Sequence, residues 1–216
     1  MGSVLNLPNV KKAISVARGV MERTTHSILT GENAGKFAAS MGYETDPKKL
    51  RTPESDKKWQ TWKENSCQPN YHRNVIPDPS TSCGPYKPTP GITDRFVKRE
   101  GHDTIGMIAI DATGRMAVGT STNGMIYKIP GRVADSAIPG SGGFLDKDIG
   151  AAVATGDGDV IVAYAASAVA VDRMKFSNMK PDEAAFASLS RLRSYGKPFS
   201  AALVSATADG KVGAAW

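Results

Sequence analysis

Residues 101–122 read GHDTIGMIAIDATGRMAVGTST, and they decide how the rest of the chain is parsed. From Thr104 to Ile110 the side chains are apolar on both faces, the pattern of a strand buried on both sides. Asp111-Ala112-Thr113-Gly114 is a turn, and Arg115–Thr122 is the strand that returns from it. Before Thr104 the sequence is helical or irregular; after it, short apolar segments alternate with helical ones. On local grounds alone, Thr104 is a residue that starts a strand.

Toward the C-terminus, a Gly- and Pro-rich loop runs from Asn123 to Gly143. AAVAT (151–155) reads as a third strand, GDGD (156–159) as a tight turn and VIVAY (160–164) as a fourth strand. A helix is expected over 167–176. Pro181, followed by Asp182 and Glu183, opens another that Gly196 closes. FSAALVSA (199–206) and KVGAAW (211–216), joined at Ala208-Asp209-Gly210, form a terminal hairpin. Strands this rich in Ala and Gly require cover on both faces, so the expected class is α+β with stacked layers.

Toward the N-terminus, residues 9–41 read as helical. Asn9 can cap a first helix whose Val10, Ala13, Ile14, Ala17 and Met21 recur at three- and four-residue spacing. Thr30 can cap a second, with Ala34, Phe37, Ala38 and Met41 on one face and Gly42 as its stop. Residues 43–65 are polar, with a short helix expected over 57–64. Six of the 13 prolines fall between Pro69 and Pro90, a loop that also holds Cys67 and Cys83. A cysteine pair closing such a loop reads as a disulfide, which implies an oxidising compartment; two unrelated thiols are the alternative. The charged stretch DRFVKREGHD (94–103) follows.

The chain's 216 residues, 40% hydrophobic and 22% charged, exclude collagen-like, coiled-coil and disordered classes. No apolar run approaches the ~18 residues of a membrane span. Of the net charge of +6, residues 1–103 carry +5 (16 basic against 11 acidic) and residues 104–216 carry +1 (11 against 10). The excess is scattered in pairs rather than concentrated or interleaved with aromatics, so it reads as a solvated face and not as a nucleic-acid surface. The Met-Gly-Ser start shows no basic n-region with an apolar h-region.

Histidine is confined to His26, His72 and His102, none with a partner motif. There is no GxSxG, no HExxH and no closely spaced pair of Cys or His ligands, and GDGD lacks the remaining spacing of a calcium loop. Neither metal chemistry nor a histidine-activated serine is supported, and no GxGxxG joins a strand to a helix.

GHDTIGM (101–107), GTSTNGMIYKIPGRVADSAIPGSG (119–142) and ATGDGD (154–159) resemble the glycosylasparaginase branch of the N-terminal nucleophile hydrolases. NVKKAISVARGVMERTTHSILTGENAGKFA (9–38) and CQPNYHRNVIPDP (67–79) are similar to its eukaryotic lysosomal members. Related threonine-nucleophile branches more usually carry STGG, so Asn123 in STNG favours glycosylasparaginases. The resemblance implies a four-layer αββα sandwich and backbone self-cleavage between Asp103 and Thr104. Thr104 then becomes the amino-terminal nucleophile, and Thr122 supports its hydroxyl. Arg132 and Asp135 correspond to the pair that holds the substrate's α-carboxylate and α-ammonium. Thr155 and Gly156 correspond to the oxyanion hole, and Gly158 lies in the same substrate-binding stretch.

Physical chemistry agrees with those implied roles. A threonine hydroxyl is a weak nucleophile until a base takes its proton, and a freed α-amine on the same residue can do so without histidine. The reference pKa of that amine, about 7.7–8.0, is low for an amine. A guanidinium can grip a carboxylate at two points, and a backbone N–H at a strand end can stabilise an oxyanion.

The resemblance also sets expectations about the whole. Residues 1–103 would form part of an α-subunit-like region and 104–216 a β-subunit-like region, together one domain, without metal or cofactor. The implied activity is hydrolysis of the amide joining N-acetylglucosamine to asparagine, in the lysosome, by an oligomer of processed α/β units. The alternatives are asparaginase or isoaspartyl peptidase activity, or a non-processing, inactive fragment. Against the family pattern, the chain reads as truncated at both ends. It contains no Asn-x-Ser/Thr sequon; Asn65-Ser66-Cys67 is only a rare variant.

Overall fold

The structure is a computed structural model and describes residues 1–92, 97 and 102–216. Much of the charged stretch 94–103, including Gly101 of the GHDTIGM motif, therefore lies outside the described residues.

The N-terminal part opens with β1 (Ser3–Leu5), α1 (Ala13–Arg23), β2 (Ile28–Thr30) and α2 (Gly31–Ser40). β1 and β2 pair in parallel, an arrangement the periodicity did not reveal because each is only three residues long. α1 starts after Lys12 rather than at Asn9. Its buried side is Val16, Ala17 and Val20, while Ile14 and Met21 are 49% and 48% exposed. The expected stripe is rotated because β1 lies across the helix; a Cβ on Gly2 would sit 2.1 Å from the Ala17 carbonyl oxygen. Thr30 does precede α2, and Gly42 ends it at φ +77°. α3 (Pro53–Glu64) begins four residues before the expected position. Thr52 and Ser55 satisfy each other's backbone N–H groups at 3.1 and 3.0 Å, with Pro53 next to the cap.

The Pro-rich loop holds the short hairpin of β3 (Val75–Ile76) and β4 (Lys87–Pro88). Cys67 and Cys83 are disulfide-bonded, with their Cα atoms 5.2 Å apart.

The second part contains β5 (His102–Ile110), β6 (Met116–Met125), β7 (Gly143–Asp146), β8 (Gly150–Gly156), α4 (Gly158–Tyr164), α5 (Ala166–Ser177), α6 (Pro181–Leu192), β9 (Ala201–Thr207) and β10 (Val212–Ala215). β5 and β6 form one antiparallel hairpin, and β10-β9-β8-β7 form a four-stranded antiparallel sheet. The two sheets stack through glycines. A Cβ on Gly106 would meet Val153 at 2.9 Å, and one on Gly143 would meet Val118 at 2.7 Å. α1 covers the outer side of β6, where Ile14 lies over Gly119. α5 and α6 cover the other face of the larger sheet, burying Ala152, Ala170, Val171, Ala184, Leu192 and Leu203. The layers therefore run helix, sheet, sheet, helix, an α+β architecture.

Two local expectations are corrected. VIVAY is the body of helix α4, not a strand. A five-residue apolar run carries no decisive periodicity, and here Asp157 begins the helix so that Val160 and Ile161 are fully buried. Nor is β5 covered on both faces: Ile105 and Met107 are 70% and 61% exposed, while the alternate face meets β8.

Leu203, 1% exposed between the larger sheet and its helices, is a sensitive probe of this layering. Leu203→Ala is expected to lower unfolding stability by about 2–5 kcal/mol. Val212→Ala, at a 69% exposed position, should change it by no more than about 0.5 kcal/mol. Denaturant unfolding of the full-length protein checks both, and equal midpoints for the two variants would remove Leu203 from the core.

Candidate active site

β5 begins at His102, so the Asp103–Thr104 peptide lies inside a strand and not at the junction of loop and strand. The pairing with β6 changes register at that bond. Asp103 faces Gly124 and Thr104 faces Thr122, which leaves Asn123 as the extra residue of a bulge. Gly124 takes φ +76°, a conformation suited to glycine.

The bulge gathers three hydrogen bonds on one hydroxyl. Thr104 Oγ1 donates to Thr122 Oγ1 at 3.3 Å, the Gly124 N–H donates to the same oxygen at 2.8 Å, and Thr122 Oγ1 donates to the Asp103 carbonyl oxygen. A hydroxyl has one proton and two lone pairs, so Thr122 is fully used. Its single proton is directed at the carbonyl preceding Thr104.

A cleft opens beside this bulge, lined by Thr104, Thr122, Arg132, Asp135, Gly156 and Gly158 among others. The structure therefore gathers six of the seven residues singled out beside Asp103. Thr155 instead lines a neighbouring cavity with Phe186 and Phe199, and Gly156 borders both. Gly156 has φ +131°, and a Cβ there would lie 2.3 Å from the Ser200 carbonyl oxygen, so only glycine fits the end of β8.

Arg132 comes from the loop after β6 and Asp135 from the 3-10 turn Asp135–Ala137. Arg132 is bound side-on by Asp159, with Nε to Oδ1 at 3.3 Å and Nη2 to Oδ2 at 3.1 Å. Asp135 is buried and accepts from Ser136 Oγ at 3.4 Å. Burial pushes its carboxyl above the ordinary aspartate range, against the pull of the Ser136 hydrogen bonds and the Arg132 charge. Gly158 makes room for it: a Cβ on Gly158 would fall 2.3 Å from Asp135 Oδ1.

Reading the sequence missed three contributors. Lys128 donates from Nζ to the Asn123 carbonyl at 2.8 Å and to the Met125 carbonyl at 3.4 Å, pinning the bulge from outside. Burial, then Arg132, holds its ammonium below the usual lysine value, against the opposing attraction of Asp103. Tyr127, at φ +53°, stacks on Trp62 of α3 with centroids 5.3 Å apart and planes 4° apart. Asp159 is the third. Lys128 and Tyr127 carry no catalytic spacing, and Asp159 was absorbed into what read as a turn.

The stacked helix–sheet–sheet–helix layers, with a threonine on a strand facing the cleft, are the α+β architecture of the N-terminal nucleophile hydrolases. The chain belongs to the asparaginase family, whose description "Asparaginase" matches residues 1–216. It is similar to the N(4)-(beta-N-acetylglucosaminyl)-L-asparaginases of Rattus norvegicus, 46% identical over 220 residues, and Mus musculus, 45% identical over 221 residues. Each alignment covers 100% of this chain and 63% of the relative. A Drosophila persimilis protein, named provisionally for the same activity, is 47% identical over 225 residues, covering 100% of this chain and 57% of that protein. The chain thus spans about three-fifths of the length of these relatives.

The Asp135 shift has a measurable consequence. Its folded-state pKa lies above the unfolded value near 3.9, so its contribution to stability is complete below that value and is lost as pH rises through the folded one. Relative to Asp135→Asn, the native protein should lose stability across that rise. Unfolding titrations of both proteins at several pH values check this, and parallel curves would show that Asp135 is not destabilised by burial.

Proposed function

We propose that the mature protein hydrolyses the amide linking N-acetylglucosamine to the side chain of asparagine, with Thr104 as its nucleophile. The observation that carries this reading is the hydrogen-bonded group of Thr104, Thr122 and the Asp103 carbonyl beside a cleft with Arg132 and Asp135 on its wall. The names of the mammalian relatives supply the substrate class.

The nucleophile first has to be freed. Thr104 Oγ1 adds to the Asp103 carbonyl carbon, the C–N bond breaks, and the nitrogen takes a proton. The acyl group has then moved from nitrogen to oxygen. Water hydrolyses the ester, leaving Asp103 as a C-terminal carboxylate and Thr104 with a free α-amine. Thr122 assists by donating to the carbonyl oxygen that gathers negative charge.

In the hydrolytic reaction the α-amine of Thr104 takes the proton of Oγ1, which attacks the side-chain amide carbon. The departing glycosylamine nitrogen leaves protonated, and water releases aspartate from the acyl-enzyme. Thr122 supports the nucleophile, and Gly156, which lines the cleft, stabilises the oxyanion, with Thr155 before it in the same oxyanion segment although it borders the neighbouring cavity. Arg132 grips the α-carboxylate, and Asp135, seated against Gly158, receives the α-ammonium. A pair that reads both charges of a free amino acid rejects asparagine within a peptide, which suits a late step of glycoprotein breakdown. Residues 1–103 and 104–216 act as the two parts of one folded unit. The processed units associate further and work in an oxidising, lysosomal compartment, a setting in keeping with the Cys67–Cys83 bridge.

The same amino-acid contacts would accept free asparagine, so an assay offering both substrates ranks the two activities. The nucleophile is tested separately in the full-length protein. Thr104→Ala should abolish both the cut and hydrolysis, whereas Thr104→Ser should keep part of each because a hydroxyl remains. N-terminal sequencing that finds no chain starting at Thr104, with hydrolysis still present, would falsify the assignment.

A further inference from the structure

Asp159 meets the candidate site at Arg132. Its two carboxylate oxygens take Nε and Nη2, one side of the guanidinium fork. Arginine offers five N–H donors, so this contact leaves both Nη1 hydrogens and one Nη2 hydrogen on the other edge. That second edge is itself a two-pronged match for a carboxylate. Its Nη1 lies beside Gly124: a Cβ there would be 3.2 Å away. The uncommitted edge thus abuts the bulge residue two positions from Thr122. The pair is well shielded, with the Arg132 side chain 17% and Asp159 33% exposed.

We propose that Asp159 is a positioning residue that makes the site selective for substrates with a free α-carboxylate, by holding Arg132 side-on so that its outer edge faces the substrate. This rests on the reading of Arg132 as the carboxylate anchor and extends it to a residue that touches no substrate atom. Asp159 also offsets a local excess of positive charge. Arg132 lies close enough to Lys128 to disfavour the Lys128 charge. Without Asp159, a half-buried guanidinium beside an ammonium would turn toward water. Sequence adjacency gives the arrangement economy: Gly158 admits the Asp135 carboxylate, and the next residue holds Arg132.

The test uses the full-length, processed protein and two β-anilides of aspartic acid, one with a free α-carboxylate and one with an α-carboxamide. Asp159→Asn keeps the shape and removes the charge. On the carboxylate substrate it is expected to lower kcat/KM on the order of 10- to 100-fold, mainly through KM. On the carboxamide it should leave the low rate unchanged, and the chain should still be cut before Thr104. Asp159→Glu should recover part of the loss. An equal loss on both substrates, or failure to process in both variants, would mean a merely structural role and overturn the proposal. A lowered KM would overturn it too, since Asp159 would then compete with the substrate for Arg132. Arg132→Lys on the same pair separates the two layers of inference. If it discriminates and Asp159→Asn does not, only the positioning role fails; if Arg132→Lys treats both substrates alike, the anchor reading itself fails.

Discussion

The Thr122 hydroxyl, which donates to the Asp103 carbonyl while accepting from Thr104 and from the Gly124 N–H, is the contact around which the site is arranged. Its hydrogen-bonding capacity is exhausted by those three partners, so it cannot turn away without leaving at least one of them unsatisfied. Such a contact needs β6 to be held against β5 out of regular register. Asn123 supplies the extra residue, Gly124 the backbone conformation, and Lys128 a clamp on the carbonyls at either side of Gly124. The clamp is itself anchored, because the preceding Tyr127 stacks on Trp62 and donates to the Lys58 carbonyl at 3.3 Å. A helix well before the proposed cut thereby fixes the loop that follows it.

Close sheet stacking does the rest of the positioning. Gly106 of the hairpin meets Val153 of the larger sheet, and Gly143 of the larger sheet meets Val118 of the hairpin, so the two layers approach closely. A methyl group at either position would force the layers apart. Their separation sets how far Thr104, on one sheet, lies from Gly156, at the end of a strand on the other. The preponderance of Ala and Gly in these strands is thus a requirement of the site as much as of the core.

Much of this was legible in the sequence where local chemistry acts alone. The β5–β6 hairpin followed from the DATG turn, the terminal hairpin from Ala208-Asp209-Gly210, and the start of α6 from Pro181. The cysteine pair in its Pro-rich loop is bonded. What could not be read depends on distant packing. Which side of α1 is buried is settled by β1 crossing it, and VIVAY is helical because Asp157 and Gly158 start a helix where an apolar run alone is ambiguous. Arg132 and Asp135 stood out by their motif. Asp159 and Lys128 are ordinary charged residues in the sequence, and only folding brings them to Arg132 and to the bulge.

The charges around the cleft also bear on how a bare threonine amine could act as a base. Burial penalises a protonated amine, and neighbouring cations penalise it further. Lys128 and Arg132 are both positive and both close to the strand end that carries Thr104. Asp103 attracts Lys128 and moderates that field. In the proposed mature form, a Thr104 amine would lie beside the same two cations. Nearby cations would disfavour its protonation and so favour the neutral form that a general base requires.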